Sequence, residues 1–384
     1  MALRTKNHSI FFIFLFIFLS FLPCLGAMVK GSRVGVNYGR KGNNLPSPGS
    51  VATALGSLGV TRVRIQAPDP EALRAFSYTS ISLHLAIPNS FIPHFASNRS
   101  AALSFVSAHL LPFLPRTPIH SLSLGADPLS SDLAPFLLPA LYNLQAALSH
   151  TSLTHIKVST PLSFSHISSP FPPSSAKFHK SISEIQPLLD FLSLNGAPLF
   201  VNLYPFSLYL DDPTIPLGFA LFREEPFSYR SDPITGIRYR NLFDAMVDAF
   251  GCAMVKAGQD SIPIAVAETG WPTQGANSDA KAEASLRNAG FYNKGLLRSM
   301  REKGRRKVKV EEAYIFSLFD ENMRPGPEMV SHWGWLYPNM TMKYDLDFFA
   351  SGACRLRRGA FWSFSIVGLL LVVAVAVAVV VLNG

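Results

Sequence analysis

The stretch Ile264-Ala265-Val266-Ala267-Glu268-Thr269-Gly270-Trp271-Pro272 ends an apolar run in a carboxylate and a Gly-Trp-Pro turn. Such a run reads as a buried strand. A Glu at the carboxyl end of a buried strand stands where α/β folds carry their chemistry. Taken alone, it could equally be a solvated strand end. Trp271 offers a flat apolar face of the kind a sugar ring stacks on. Other runs end alike: in Asn37-Tyr38, Gln66, Pro88-Asn89, Asp127, Thr160, Asn202 with Tyr204, and Asp320-Glu321-Asn322. Carboxylates, amides and aromatics together suit glycoside hydrolysis. One carboxyl group protonates the departing oxygen, and a second attacks the anomeric carbon or activates water. Amides bond sugar hydroxyls, and aromatic faces stack on the rings.

Rival chemistries find little support. There is no His-Glu-x-x-His, no cysteine cluster and no paired ligand spacing among the ten histidines. Gly35, Gly39 and Gly42 do not fit a dinucleotide loop, and Gly-x-Ser-x-Gly is absent. No metal and no cofactor are expected, and the histidines read as surface or satisfied core groups.

The elements that must position these residues alternate. Strands are expected at 33–38, 62–65, 82–87, 119–124, 155–160, 199–203, 264–268 and 312–319. Helices are expected at 46–58, 70–77, 101–111, from a cap at Asp132 to about 148, and at 181–193, 242–257 and 279–303. A Ser/Pro-rich loop fills 161–175, and a longer one runs to about Arg240. Eight strands alternating with helices within one domain's length predict an α/β fold, a (β/α)8 TIM barrel, over residues 27–350. A doubly wound open sheet is the alternative.

Both ends of the 384-residue chain carry targeting signals. Arg4 and Lys6, an apolar run over 10–22 and Pro23-Cys24-Leu25-Gly26 read as a signal peptide, 1–26. At the other end, Ser351-Gly352-Ala353, an arginine-bearing spacer and a terminal apolar run read as a GPI-attachment signal, 351–384, with Ser351 as attachment residue. A single-pass span is the alternative. It is disfavoured because nothing cytoplasmic follows it and its arginines would lie outside. The expected location is the extracellular face of the plasma membrane and the wall. Losing Arg4, Lys6, Arg355, Arg357 and Arg358 with the two signals takes the 34 basic residues to 29 against 25 acidic ones, a net +4. That mild excess does not point to nucleic acid. Cys24 and Cys354 leave with the signals, so only Cys252 remains and the fold must rest on its core. Asn98-Arg99-Ser100 and Asn339-Met340-Thr341 are glycosylation sequons. A monomer is the default expectation.

In these residues the chain resembles the plant endo-1,3-β-glucanases of glycoside hydrolase family 17, in order over about 34–348. The resemblance is carried by Val34-Gly35-Val36-Asn37-Tyr38-Gly39, Arg62-Val63-Arg64, Val158-Ser159-Thr160 and Val201-Asn202-Leu203-Tyr204-Pro205. It continues through Asn241-Leu242-Phe243-Asp244-Ala245-Met246-Val247-Asp248-Ala249, Glu268-Thr269-Gly270-Trp271-Pro272 and Phe319-Asp320-Glu321-Asn322. It implies a barrel and a retaining mechanism on β-1,3-glucan of the callose type. It also implies Glu268 as nucleophile, Glu312 and Glu321 as supporting acids near the cleft, and Tyr38, Asn202 and Tyr204 as substrate contacts. Asn89 and Trp271 are added from their strand-end positions. Members often carry a carboxyl-terminal carbohydrate-binding module, and none is read here.

Two departures bear on the chemistry. The family's Gly-Asn-Glu after the fourth strand, which holds the acid, is here Gly125-Ala126-Asp127, and its Arg-Leu-Tyr-Asp is Arg64-Ile65-Gln66-Ala67. Retaining enzymes hold their carboxyls about 5–5.5 Å apart. An Asp would hang back by roughly 1 Å, a displacement that can cost about a hundredfold. In water Asp is also slightly the stronger acid, the wrong direction for a proton donor. Two expectations follow. One is a hydrolase slowed by Asp127 as its general acid. The other is a wall protein that binds β-1,3-glucan with impaired catalysis.

Overall fold

The computed structural model describes residues 32–179, 183–223, 229–275, 283–302 and 308–349. Both targeting signals, including Ser351, lie outside them, as does most of the basic run at 303–309.

Nine strand segments form one parallel sheet. They are β1 Val34–Tyr38, β2 Arg62–Ile65, β3 Ser82–Ile87, β4 Ile119–Leu124, β5 Lys157–Ser159, β6 Pro161–Ser163, β7 Leu199–Asn202, β8 Ile264–Thr269 and β9 Val310–Ile315. Their order in the sheet is β5-β4-β3-β2-β1-β9-β8-β7-β6. The two edges, β5 and β6, are separated in sequence only by Thr160. They are halves of one broken strand, the first paired with β4 and the second with β7. The sheet therefore closes into the expected (β/α)8 barrel. The break has a local cause. Pro161 has no N–H to continue the ladder, so it can only start a new segment, and Thr160 Oγ1 donates to Leu124 O at 2.8 Å across the gap. Residues 161–163 had read as loop because a Pro-Leu-Ser run carries no strand period.

Strands covered on both faces read as near-continuous apolar runs, and β1 is buried at every residue. The side chains separate into two cores. Phe200, Ala265, Ala267 and Tyr314 fill the barrel interior, while a larger cluster packs strands against helices. Some interior polar groups are paired. The His84 ring nitrogens each lie 2.8 Å from a hydroxyl, Ser121 Oγ and Ser123 Oγ. Burial holds this imidazole well below its ordinary pKa, and the charges of Arg64 and His120 push the same way, so it is neutral.

The helices start where capping chemistry predicts. Ser47, Asp69, Asn98, Asn241 and Ser285 each accept from a backbone N–H of the following first turn. The expected cap at Asp132 is not one. Helix Ala134–His150 begins after Leu133 with no side-chain cap; its early Pro135 presets φ and removes an amide that would need one. The long loop after β7 holds short helices Pro205–Asp211 and Leu217–Ala220 and the hairpin Arg230–Ser231/Arg238–Tyr239. Among the described residues no helix is long and apolar enough to cross a membrane.

Candidate active site

Glu268 sits one residue from the end of β8, where the register against β7 shifts between Val266 and Glu268. Such a bulge re-aims a side chain, and here it delivers Glu268 to the barrel mouth opposite Asn202. Each carboxylate oxygen is held. Arg64 Nη1 donates to Oε1 at 2.8 Å, and the Tyr204 hydroxyl donates to Oε2 at 2.5 Å. Arg64 points inward from β2 between two outward apolar neighbours, and its side chain is only 3% exposed. It also donates to Asn37 Oδ1 at 2.8 Å, and Asn37 Nδ2 donates to Ala267 O at 3.0 Å. Burial pushes the Tyr204 phenol well above its ordinary pKa, and the Glu268 charge adds to the shift. It therefore remains a donor at any physiological pH. A carboxylate gripped at both oxygens by charge-assisted bonds from rigid strands is oriented for attack on carbon.

Around Glu268 opens a cleft of about 520 Å³, lined by Tyr38, Gln66, Asn89, Gly125, Ala126 and Arg324 among others. The Tyr38 ring is buried edge-on against Phe76 and Phe319. Its hydroxyl has no partner among the described residues, and burial above all raises its pKa to about 12. Asn202 Oδ1 is likewise unpartnered among the described residues and, like the Tyr38 hydroxyl, buried, so each is a polar atom beside the site with unused hydrogen-bonding capacity. Asn89 accepts from the Ala126 amide at 2.8 Å and so pins the loop after β4 while lining the cleft. Glu321 accepts from Lys41 N at 2.9 Å and from Arg324 Nε at 2.7 Å. Arg324 in turn donates to Gln66 Oε1 at 2.9 Å. Glu321 thus braces the cleft wall. A Cβ on Gly39 would fall 2.1 Å from Glu321 Oε1, which only glycine avoids.

Asp127 lies at the same end of the barrel but its carboxylate faces β6. Oδ2 accepts from Ser130 Oγ at 2.6 Å. Oδ1 lies 2.6 Å from His166 Nε2 and accepts from Ser163 N at 3.2 Å. Its backbone is left-handed, with φ 54 and ψ 54. Gly125 and Ala126 line the cleft with Glu268, whereas Asp127 is not among the lining residues. Burial alone would raise its pKa, but the hydrogen bonds from His166 and Ser130 and the His166 charge hold it below the ordinary value.

Two expected site residues lie elsewhere. Trp271 is fully buried, its Nε1 donating to Glu283 O at 2.8 Å and its ring 4.9 Å from Phe206. A Cβ at Gly270 would be 2.3 Å from Phe316 O, and the Trp271 ring packs on Tyr209 and Tyr292 as well. Glu312 is near the amino-terminal end of the barrel. It pairs with Arg62 Nη1 at 2.6 Å and His120 Nε2 at 3.0 Å, residues at the starts of β2 and β4. An acid early in its strand points toward the barrel floor, so Glu312 supports the barrel, not the cleft. Arg64 and Arg324 had been given no role. An arginine interrupting an apolar strand was the available signal for Arg64; nothing local marked Arg324. Among the described residues no group of three or more His, Cys, Asp or Glu could hold a metal ion.

The profile of glycosyl hydrolases family 17 matches residues 34–348. The chain belongs to this family. It is 38% identical to glucan endo-1,3-beta-glucosidase 13 of Arabidopsis thaliana over 86% of its own length and 66% of that relative's. It is 34% identical to glucan endo-1,3-beta-glucosidase 14 of the same plant, over 88% of each chain. Among solved structures it is similar to CJP38, a β-1,3-glucanase and allergen of Cryptomeria japonica pollen. That likeness has a TM-score of 0.77 and 35% identity, over 82% of this chain and 98% of the other. The family 17 barrel thus accounts for the whole described unit, 32–348.

Proposed function

We propose that this family 17 protein hydrolyses internal β-1,3-glucosidic bonds of callose-type β-1,3-glucans by double displacement, and that it does so slowly. The carrying observation is Glu268, held at both oxygens by Arg64 and Tyr204 inside the cleft. The activities for which its relatives are named favour the same substrate. In the first step the Glu268 carboxylate forms a bond to the anomeric carbon as the bond to the leaving oxygen breaks. In the second, water displaces Glu268 and gives its proton to the group that protonated the leaving oxygen in the first. The leaving oxygen of a glucan needs a proton in the first step, and Asp127 is the candidate donor. Its hydrogen bonds favour the ionised form, so proton delivery limits the rate.

The pairing of Asp127 also favours a second reading, in which the cleft holds wall β-1,3-glucan with little turnover. A leaving-group comparison separates the two. The purified protein is given laminarin and an aryl β-laminaribioside whose nitrophenolate departs without a proton. Under the first reading both are cleaved, the aryl substrate disproportionately well, and Glu268→Ala abolishes both. Binding of laminari-oligosaccharides with no Glu268-dependent cleavage of either substrate leaves only the second reading.

The same proposal places the protein at the outer plasma-membrane leaflet through a GPI anchor at Ser351, as a monomer. It would be glycosylated at Asn98 and Asn339, both of which are exposed.

A further inference from the structure

We infer that His166 and Ser130 are positioning residues that latch Asp127 in an ionised, withdrawn state and so set how slowly glucan is cleaved. This deepens the functional reading above and rests on it.

The latch is built from two short segments. Ser130 closes the turn Pro128–Ser130 that Asp127 itself begins. Ser163 ends β6, and His166 ends the next turn, Phe164–His166. These segments bring three donors onto one carboxylate: Ser130 Oγ, Ser163 N and His166 Nε2. The same Nε2 lies 3.2 Å from Ser130 Oγ, so imidazole and hydroxyl close around both oxygens. The His166 side chain is 5% exposed and that of Asp127 18%. The groups facing Asp127 from the packed elements are therefore the imidazole, one hydroxyl and one amide, with no second carboxylate. A carboxylate receiving three donors is a good acceptor and is seldom protonated, because protonation would put a hydrogen where a donor already points. The left-handed backbone at Asp127 and the shorter side chain leave the carboxyl on the β6 side, and Ala126 occupies the cleft edge. A general acid must carry its proton and reach the leaving oxygen. The latch opposes both requirements.

The test uses His166→Leu and the milder Ser130→Ala, an exposed position at which loss of folding is not expected. Each variant is assayed on laminarin and on the aryl laminaribioside. General acid catalysis is worth on the order of 10²–10⁴ in rate. Even partial release raises the laminarin-to-aryl ratio of kcat/KM about tenfold in His166→Leu, less in Ser130→Ala, and moves the alkaline limb of the laminarin profile upward. A ratio and profile unchanged in both variants, or a fall confined to laminarin, overturns the latch; the fall would make His166 part of the proton path. A second measurement needs no turnover. The Asp127 carboxyl is titrated by ¹³C NMR in wild type and in both variants. Its pKa rises when the donors go, and no rise overturns the inference. If the wild type cleaves neither substrate while this titration shifts as expected, the latch stands and the hydrolase reading falls.

Discussion

Arg64→Met tests whether the site is held from beneath by one buried guanidinium. Methionine keeps much of the arginine's volume and removes its charge. Arg64 is 3% exposed and Glu268 18%, so the pair is largely, though not wholly, out of water. Removing one partner of a buried pair costs about 3–5 kcal/mol, and the residual exposure of Glu268 argues for the lower end. Asn37 Oδ1 loses its donor as well, worth on the order of 1 kcal/mol. A loss of about 4 kcal/mol is the working figure. Unfolding entropy near 2.1 cal/mol/K per residue over the compact unit, 32–348, gives roughly 0.7 kcal/mol/K. The melting temperature should therefore fall by about 6 °C. Laminarin turnover should fall by about a hundredfold, the effect of misplacing a nucleophile by roughly 1 Å. The assay is calorimetric melting and reducing-end release for Arg64→Met, Glu268→Gln and the double variant. Because the two side chains touch, the double variant should be less destabilised than the sum of the singles, by on the order of 1–3 kcal/mol. A melting shift under about 1 °C, or strict additivity, would refute the claim that this pair organises the site.

Two further outcomes follow from neighbouring geometry. Tyr204→Phe removes the donor to Glu268 Oε2 and leaves the ring on Trp333 and Phe316. A hydrogen bond to a charged group is worth about 1.5–3 kcal/mol, so kcat/KM on the aryl substrate should drop roughly 10- to 100-fold and the melting temperature by at most about 2–4 °C. A drop under about twofold would show the bond to be incidental. Glu312→Gln tests the barrel floor through pH. Burial alone would raise the Glu312 pKa, but His120 and Arg62 bring it below its ordinary value. A depressed folded-state pKa gives stability that is present above the unfolded value, about 4.3, and is lost as pH falls through the folded one. The stability gap between wild type and Glu312→Gln should therefore be full at pH 6 and close as pH falls below about 4, as followed by melting temperature. A gap independent of pH between 6 and 3 would count against the ion pair.

The barrel was legible because its strands are short, apolar and bounded, and three of them, 62–65, 82–87 and 119–124, fall where the pattern puts them. The second half of the broken fifth strand was not, since Pro161–Ser163 joins the sheet through tertiary pairing with β7 and not through any local period. At the site, Glu268 and Tyr204 were legible from their place at strand ends. Trp271 misled because the turn after β8 can fold its aromatic inward, here onto Phe206, Tyr209 and Tyr292, residues distant in sequence. Glu312 misled for a different reason. Its role came only from the resemblance, whereas its partners Arg62 and His120, at the starts of β2 and β4, place it on the floor side. The partners of Asp127 were invisible for want of any local rule joining residue 127 to residue 166.

The two halves of the proposed chemistry come from different parts of the ring, and that separation explains how one can be kept while the other weakens. Glu268, Arg64, Tyr204 and Asn37 belong to β8, β2, the β7 end and β1, and they brace one another through the barrel interior. Asp127 is placed by the loop after β4; its partners among the described residues lie on its own turn, at the end of β6 and on the turn that follows β6. Functional side chains carried on separate strand ends of a barrel can change independently. Shortening the acid by one methylene and pairing it with His166 leaves every bond to Glu268 intact. Under the proposed reading, the cleft keeps its hold on the reacting carbon while the proton the leaving group needs is withheld. Activated leaving groups should be the substrates on which this protein looks most like its relatives.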